Sequence, residues 1–209
     1  MENKFTEKEG QMKTVFLALV MVLVVSATTA MAANSYLGVA GGVSIFHDSD
    51  MKSPGFPTLV GEYDSGFGLG VSVGTRFENG RIEGEFGYRK ADLSKLSALG
   101  TSANLTGVDA TVKSYMINGF YDMHTDTIIK PYLGAGIGVL NYELNDNGFK
   151  NDDNSFGYQL IAGLGFELNK TVTLDFSYRL QGAASDFENG GDTISYMSSS
   201  VFGGVRFNF

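Results

Sequence analysis

Alternation runs through this sequence from residue 36 to the last residue, and the two faces it defines differ in size as well as in polarity. Phe67, Leu69, Val71 and Val73 share one side of a segment whose other side is Gly68, Gly70, Ser72 and Gly74. A period of two is the mark of a β-strand with one apolar face. The pattern returns with Ile82, Phe86 and Tyr88 against Glu83, Glu85 and Arg89, and with Leu133, Ala135, Ile137 and Val139 against Gly134, Gly136 and Gly138. It returns again with Val172, Leu174, Phe176 and Tyr178 against Thr173, Asp175, Ser177 and Arg179. At the end Val201, Val205, Phe207 and Phe209 oppose Phe202, Gly204, Arg206 and Asn208. In a water-soluble barrel the apolar face points inward, and the outer face needs Lys, Glu and Thr. Here the second face is rich in glycine, which weakens a strand unless something large passes close to it. The concave side of a narrow barrel supplies that reason, since small residues leave room for a few long charged chains to cross the bore. The expectation is an inside-out cylinder, apolar towards lipid and charged within.

Turn spacing predicts an all-β, single eight-stranded antiparallel up-and-down transmembrane barrel, with strands near 36–46, 66–77, 81–90, 112–122, 130–142, 156–168, 171–180 and 196–209. Asn79-Gly80 is a strong two-residue hairpin signal, because both central positions of that turn favour positive φ. Centred there, the turn sets Phe77 against Ile82 on the lipid side and Arg76 against Glu83 inside. Between the sixth and seventh strands, parity requires the odd spacer Asn169-Lys170-Thr171, so that Leu168 meets Val172. The connections at the other rim, 47–64, 91–111, 143–155 and 181–195, are much longer. Short turns on one side and long loops on the other are the habit of transmembrane barrels, with the long loops outside the cell.

Ahead of the first strand, Lys13 precedes an apolar run over residues 15–25, then Ser26, Ala27, Thr28, Thr29 and Ala30-Met31-Ala32. A positive flank, a short greasy core and a small-x-small site describe a cleavable helical signal peptide, and the run is too short for a membrane anchor. The expected division is 1–32 as N-terminal extension and signal peptide and 33–209 as barrel, with Met1 and Met12 both possible starts. Removing 1–32 takes away three Lys and three Glu and leaves the net charge at -8. An acidic balance argues against nucleic acid, whose affinity comes from Lys and Arg on phosphates. The absence of Cys removes disulfides, thiolate metal sites and a lipidated N-terminal cysteine. No catalytic, cofactor or metal residues are assigned.

The ending Arg206-Phe207-Asn208-Phe209, with its terminal aromatic, resembles the assembly signal of bacterial outer-membrane barrels. Asn118-Gly119-Phe120-Tyr121-Asp122, Lys130-Pro131-Tyr132-Leu133-Gly134-Ala135-Gly136-Ile137-Gly138, Phe156-Gly157-Tyr158-Gln159 and Ser177-Tyr178-Arg179 resemble the small outer-membrane β-barrel family that includes opacity-type surface antigens. The barrel domains of the OmpA and OmpX types are similar in architecture and more distant. The resemblance implies one closed barrel in the outer membrane of a Gram-negative bacterium, with surface loops that carry adhesion or immune exposure. It also implies recognition of Phe209 by the barrel assembly machinery and contact with outer-membrane lipid and lipopolysaccharide. A host or surface ligand would be met through the loops, and a monomer is expected.

By parity Arg76, Glu83, Glu85, Arg89, Asp122, Asp175, Arg179 and Arg206 face the bore. Mixed signs in so narrow a space favour a structural plug over an ion pathway, and Arg76→Ala is expected to leave an uncompensated buried charge. Carboxylates opposed by Arg, with no second carboxylate to split the pKa values, argue against acid/base hydrolysis. His47-Asp48-Ser49 holds the residue types of a hydrolase triad, but strand neighbours point to opposite faces and the triplet cannot close on itself. His124 reads as a solvated residue of a short periplasmic turn. Asn145-Asp146-Asn147-Gly148 and Asn151-Asp152-Asp153-Asn154 lack the closing Glu of a calcium loop and read as an acidic, solvated loop. Lys113 and Lys130 are placed near strand ends, snorkelling towards headgroups. Tyr88, Tyr115, Tyr121, Tyr142, Tyr178 and Phe209 are expected to form the aromatic girdles. The function expected is a non-enzymatic, surface-exposed interaction protein on a filled barrel. A narrow porin-like channel and a lipid-modifying outer-membrane enzyme are the alternatives.

Overall fold

A computed structural model describes residues 34–52, 58–98, 101–104, 107–146, 149–189 and 192–209. The expected signal peptide, 1–32, lies outside the described residues. The strands are β1 (Ser35–Phe46), β2 (Ser49–Lys52), β3 (Leu59–Tyr63), β4 (Ser65–Arg76), β5 (Gly80–Ala98), β6 (Thr101–Asn104) and β7 (Val108–Asp122). They continue as β8 (Ile129–Asp146), β9 (Phe149–Glu167), β10 (Val172–Ala183), β11 (Phe187–Asn189), β12 (Asp192–Ile194) and β13 (Met197–Asn208). Eight of them, in the order β1-β4-β5-β7-β8-β9-β10-β13, pair antiparallel with sequence neighbours, and β13 pairs back onto β1, so the sheet closes without an edge. Closure satisfies the backbone of every strand in the hydrocarbon layer.

The alternation resolves as expected. Leu69, Ile137 and Phe176 are more than half exposed on the outer wall, whereas Glu85 and Arg179 are 5% and 9% exposed inside. Inward glycines sit beside the large lumenal chains: a Cβ on Gly68 would overlap the Phe202 ring, and one on Gly163 would overlap Tyr132. We expect Gly68→Val to cost about 1–3 kcal/mol by overpacking, read as a lower urea midpoint for loss of the fast-migrating folded band on a gel.

Two of the three predicted short turns differ in outcome. Leu168 N donates to Val172 O at 3.1 Å, as parity demanded, and Asn169 Oδ1 accepts from the Thr171 and Val172 amides at 2.9 Å each. The Asn79-Gly80 turn is corrected by one residue. Thr75 pairs with Ile82, Arg76 with Arg81, and Phe77 N donates to Gly80 O at 2.7 Å, so Glu78-Asn79 forms the tip. The shift moves the ladder by two residues and keeps every side chain on its face, but it separates Arg76 from Glu83.

The long connections are corrected more substantially, since they extend the barrel instead of leaving it as loops. β5 and β7 stay paired to Asp92 and Asp109, and β8 and β9 stay paired from Ile129 and Phe166 out to Asp146 and Phe149. Gly107, at φ 81°, turns the chain into β7 in the left-handed region that glycine enters freely. Above the rim, β11-β12-β2-β3 joins the outer part of β5, and β6 pairs with β5 beyond it. In this outer sheet Lys95 Nζ lies 3.0 Å from Glu62 Oε1, and that hydrogen bond holds the Glu62 carboxyl below the usual carboxylate range. A depressed carboxylate stabilises above its unfolded pKa and loses that contribution as pH falls through the lower folded value. Protection of the β3 and outer β5 amides, taken relative to their intrinsic exchange rates, is therefore expected to hold above about pH 4.5 and to fall below it.

Candidate functional site: a filled bore beneath an outer sheet

The bore is crossed by side chains at successive levels, each placed there by strand parity. At the short-turn end Arg81 is held between the rings of Phe120 and Tyr132, 4.2 and 4.3 Å from their centroids, with Asp122 at 3.6 Å. Tyr132 donates its hydroxyl to Asp175, whose second oxygen lies 2.5 Å from Arg206 Nε, and Tyr36 donates to Glu83 at 2.8 Å. Arg76 stands half-buried at the rim and donates to the Asn208 side-chain oxygen at 2.6 Å. Its expected role as partner of Glu83 is thus overturned, and Arg76→Ala removes a guanidinium hydrogen bond to a neutral amide there, not half of a buried ion pair with that carboxylate.

The central level is built on Glu85 and Arg179, whose Oε2 and Nη1 are 2.6 Å apart. Asn118 donates to the same oxygen at 3.3 Å, Gln159 donates to Asn118 at 2.7 Å, and Arg89 reaches Gln181 at 3.0 Å and Ser114 at 3.3 Å. Phe202 lies within cation–π range of both Arg89 and Arg179. Glu85 Oε1 and Arg81 Nη1 have no direct hydrogen-bond partner and border a cavity of about 30 Å³. A volume of that order is enough for at least one ordered water. The remaining width is filled by chains such as Gln159, Gln181 and Leu140, all fully buried.

Towards the outer mouth the lining turns apolar. Phe46, Ala110, Val112, Met116 and Leu140 form one cluster with Tyr142, Phe187, Ile194 and Tyr196, the last three brought in by the connection between β10 and β13. Tyr142 stacks on Phe187 with centroids 5.2 Å apart, and its hydroxyl meets that of Tyr63 at 3.1 Å. Tyr142 therefore belongs to an internal lid, not to a girdle. Tyr121 and Tyr178 remain at least half exposed on the outer wall, and Tyr88 pairs with Phe67 and Tyr115 with Phe86 at 6.0 and 5.2 Å. Sequence reasoning missed this lid because its inward aromatics alternate as any strand does. The distant Phe187 and Ile194 complete it.

The other candidates are dispersed. His47 does not meet Ser49, which is buried in the outer sheet; its Nε2 lies 2.8 Å from Ser199 Oγ, and Tyr178 donates to the same oxygen at 2.9 Å. His124 is exposed in the β7–β8 turn. Asn145 donates to Asp109 at 3.3 Å and Asn141 to Asn154 at 3.1 Å along ladder rows, so these residues form a hairpin wall in place of the expected loop. Asn147 and Gly148 lie outside the described residues. Lys113 sits inside β7, 3.1 Å from Glu143, while Lys130 donates to the Thr125 carbonyl at the short-turn rim.

A closed cylinder with an apolar exterior and a charged, packed interior has a counterpart in a known family. The family model for the outer membrane protein beta-barrel domain matches residues 16–207. The chain belongs to this family of outer-membrane β-barrel proteins. Its place is therefore the outer membrane of a Gram-negative cell. Outer membrane protein PagN of Salmonella typhimurium strain LT2 is 27% identical over 171 residues, covering 72% of this chain and 71% of that one. Among solved structures, Neisserial surface protein A (NspA) matches with a TM-score of 0.59 at 19% identity, covering 84% of this barrel protein and 97% of NspA. The likeness to NspA is one of fold.

Proposed function

We propose that this outer-membrane barrel is a surface-exposed interaction protein whose rigid wall presents a small β-sheet to ligands outside the cell. One observation carries the reading: the strands beyond the rim join into an ordered sheet seated on the apolar lid of Phe46, Phe187 and Ile194. A filled bore favours presentation over transport, because conduction would require the Glu85–Arg179 level and the lid to part together. Binding sites commonly sit on variable segments held by a rigid scaffold, and here the scaffold continues into the binding face. Lipopolysaccharide and outer-leaflet lipid surround the wall. The exposed Phe209, whose amide donates to Ser35 O at 2.9 Å, closes the β1–β13 seam as the end expected to meet the assembly machinery.

Replacing residues 145–154 by a two-residue turn tests the reading. Attachment of cells bearing the protein to host cells or abiotic surfaces is expected to fall, while the heat-modifiable folded band persists. Undiminished attachment after each of the four outer connections has been shortened in turn would reject it. In planar bilayers the intact protein is expected to give no current above background, and conductance altered in Arg179 variants would favour a channel.

A further inference from the structure

Beyond the rim the barrel wall almost closes a second time. Its strands run β3-β5-β7-β8-β9 one way round and β3-β2-β12-β11 the other, which brings β11 beside β9. There the ladder stops. β10 pairs with β9 only as far as Ala183 opposite Gly157, and β11 pairs with β12, so among the described residues the outer part of β9, 149–156, has a strand partner on its β8 side and none on the other. The seam is fastened at its base, where Ala184 N donates to Phe156 O at 2.7 Å and Ser155 Oγ donates to Ser185 O at 2.9 Å. Main-chain groups alternate in direction along a strand, so the Phe156 carbonyl places the amides and carbonyls of Asn154, Asp152 and Lys150 on the seam side as well. The Asn154 amide agrees, since it donates to the adjacent Asp153 side chain at 2.7 Å. Phe187 draws β11 inward onto Tyr142, and Asn154 remains exposed.

An open edge is a template for another strand, and the charge around this one selects which. Residues 47–64, 90–113, 143–155 and 181–195 hold 13 Asp and Glu against five Lys, whereas the rest of 33–209 holds seven acidic and seven basic residues, so the whole net charge lies in the outer part. Three of those five Lys are engaged on the far side from the seam, Lys95 with Glu62, Lys90 with Asp109 and Lys113 with Glu143. The segments that border the seam, 149–155 and 184–192, place Asp152, Asp153, Asp186, Glu188 and Asp192 against Lys150. Like charge opposes edge-to-edge pairing of two copies, and an anionic polysaccharide meets the same repulsion. A basic chain laid along the edge stays within the Debye length of about 8 Å at physiological salt and is attracted. We propose that the free edge of β9 receives an extended, Lys- or Arg-rich segment of another protein as an added strand, held by main-chain hydrogen bonds and selected by the surrounding carboxylates. The inference rests on the proposed function, with the hairpins outside, and names the chemistry of the partner.

The test uses the full protein in phosphatidylcholine nanodiscs, whose zwitterionic lipid gives a cationic peptide little to hold. Fluorescence anisotropy compares three end-blocked, ten-residue peptides, one alternating Lys and Val, one alternating Glu and Val, and the Lys/Val peptide N-methylated at every second residue. The Lys/Val peptide is expected to bind, and the other two to bind at least about tenfold more weakly. Asn154→Pro removes one edge amide without changing the charge, at a place where an edge strand tolerates proline, and is expected to weaken the Lys/Val peptide about tenfold. Equal binding of the plain and N-methylated peptides, or binding that Asn154→Pro leaves unchanged, would overturn the added strand. Tighter binding of the Glu/Val peptide would overturn the choice of partner, and binding of none would overturn both. Dimers of the peptide-free protein that Asn154→Pro abolishes would assign the edge to a second copy instead. Should that variant not fold, the N-methylated peptide carries the comparison on the unaltered protein. Both faces of a nanodisc are open to solution, so the outcome does not depend on which end lies outside the cell. Loss of attachment on shortening 145–154, with no peptide bound, would leave the presentation reading standing and remove the strand.

Discussion

Arg179→Ala is expected to be the most damaging single substitution in the bore. It removes the 2.6 Å partner of a buried carboxylate and leaves Glu85 with a charge that Asn118 and the more distant Arg89 offset only in part. Breaking a buried pair from one side costs about 3–5 kcal/mol. In urea titrations of the barrel in detergent or lipid, the midpoint for loss of the folded band should fall sharply. Glu85→Leu with Arg179→Met should recover much of that loss, because an apolar pair of similar volume avoids desolvating two charges. A double variant as unstable as the single one would mean that the pair organises the whole network from Arg89 to Gln159, not merely its own two charges.

Ile137→Arg is the complementary test on the opposite face. Ile137 is 73% exposed on the outer wall, in a row with Ile117 and Gly84. If that row lies in hydrocarbon, an arginine there costs about 2–4 kcal/mol, whereas the same change at a rim position such as Ser65 costs about 0–1 kcal/mol. The difference is measured by unfolding both variants in the same phospholipid vesicles. In a soluble protein the two exposed positions would tolerate arginine alike, so equal stabilities would remove the membrane from the argument.

The faces of the strands were legible in the order of residues because the side-chain period of a β-strand is two, so each large or small residue declares its side. That is why Leu69, Ile137 and Phe176 lie outside with Arg179 within, and why Leu168 meets Val172. Local turn chemistry was less decisive. Asn79-Gly80 invited a turn one position later than the real one, because a hairpin tip is chosen jointly by its own dihedral preferences and by the ladder beneath it. The slip of two residues spared the faces and exchanged the partners, giving Arg76 the neutral Asn208 in place of Glu83.

Within 33–209, order of residues alone determined the class of this protein: period, glycine on the concave side and alternating short and long connections admit one closed cylinder in an outer membrane. Tertiary structure decided who meets whom. His47 finds Ser199 at a separation of 152 residues, Glu85 finds Arg179 at 94, and Tyr142 turns from an expected girdle into a lid because Phe187 folds over it. The physical reason lies in the range of the forces. Alternation is written into neighbouring bonds, while pairing across a bore or up a diagonal depends on strand tilt and stagger, which exist only once the sheet has closed.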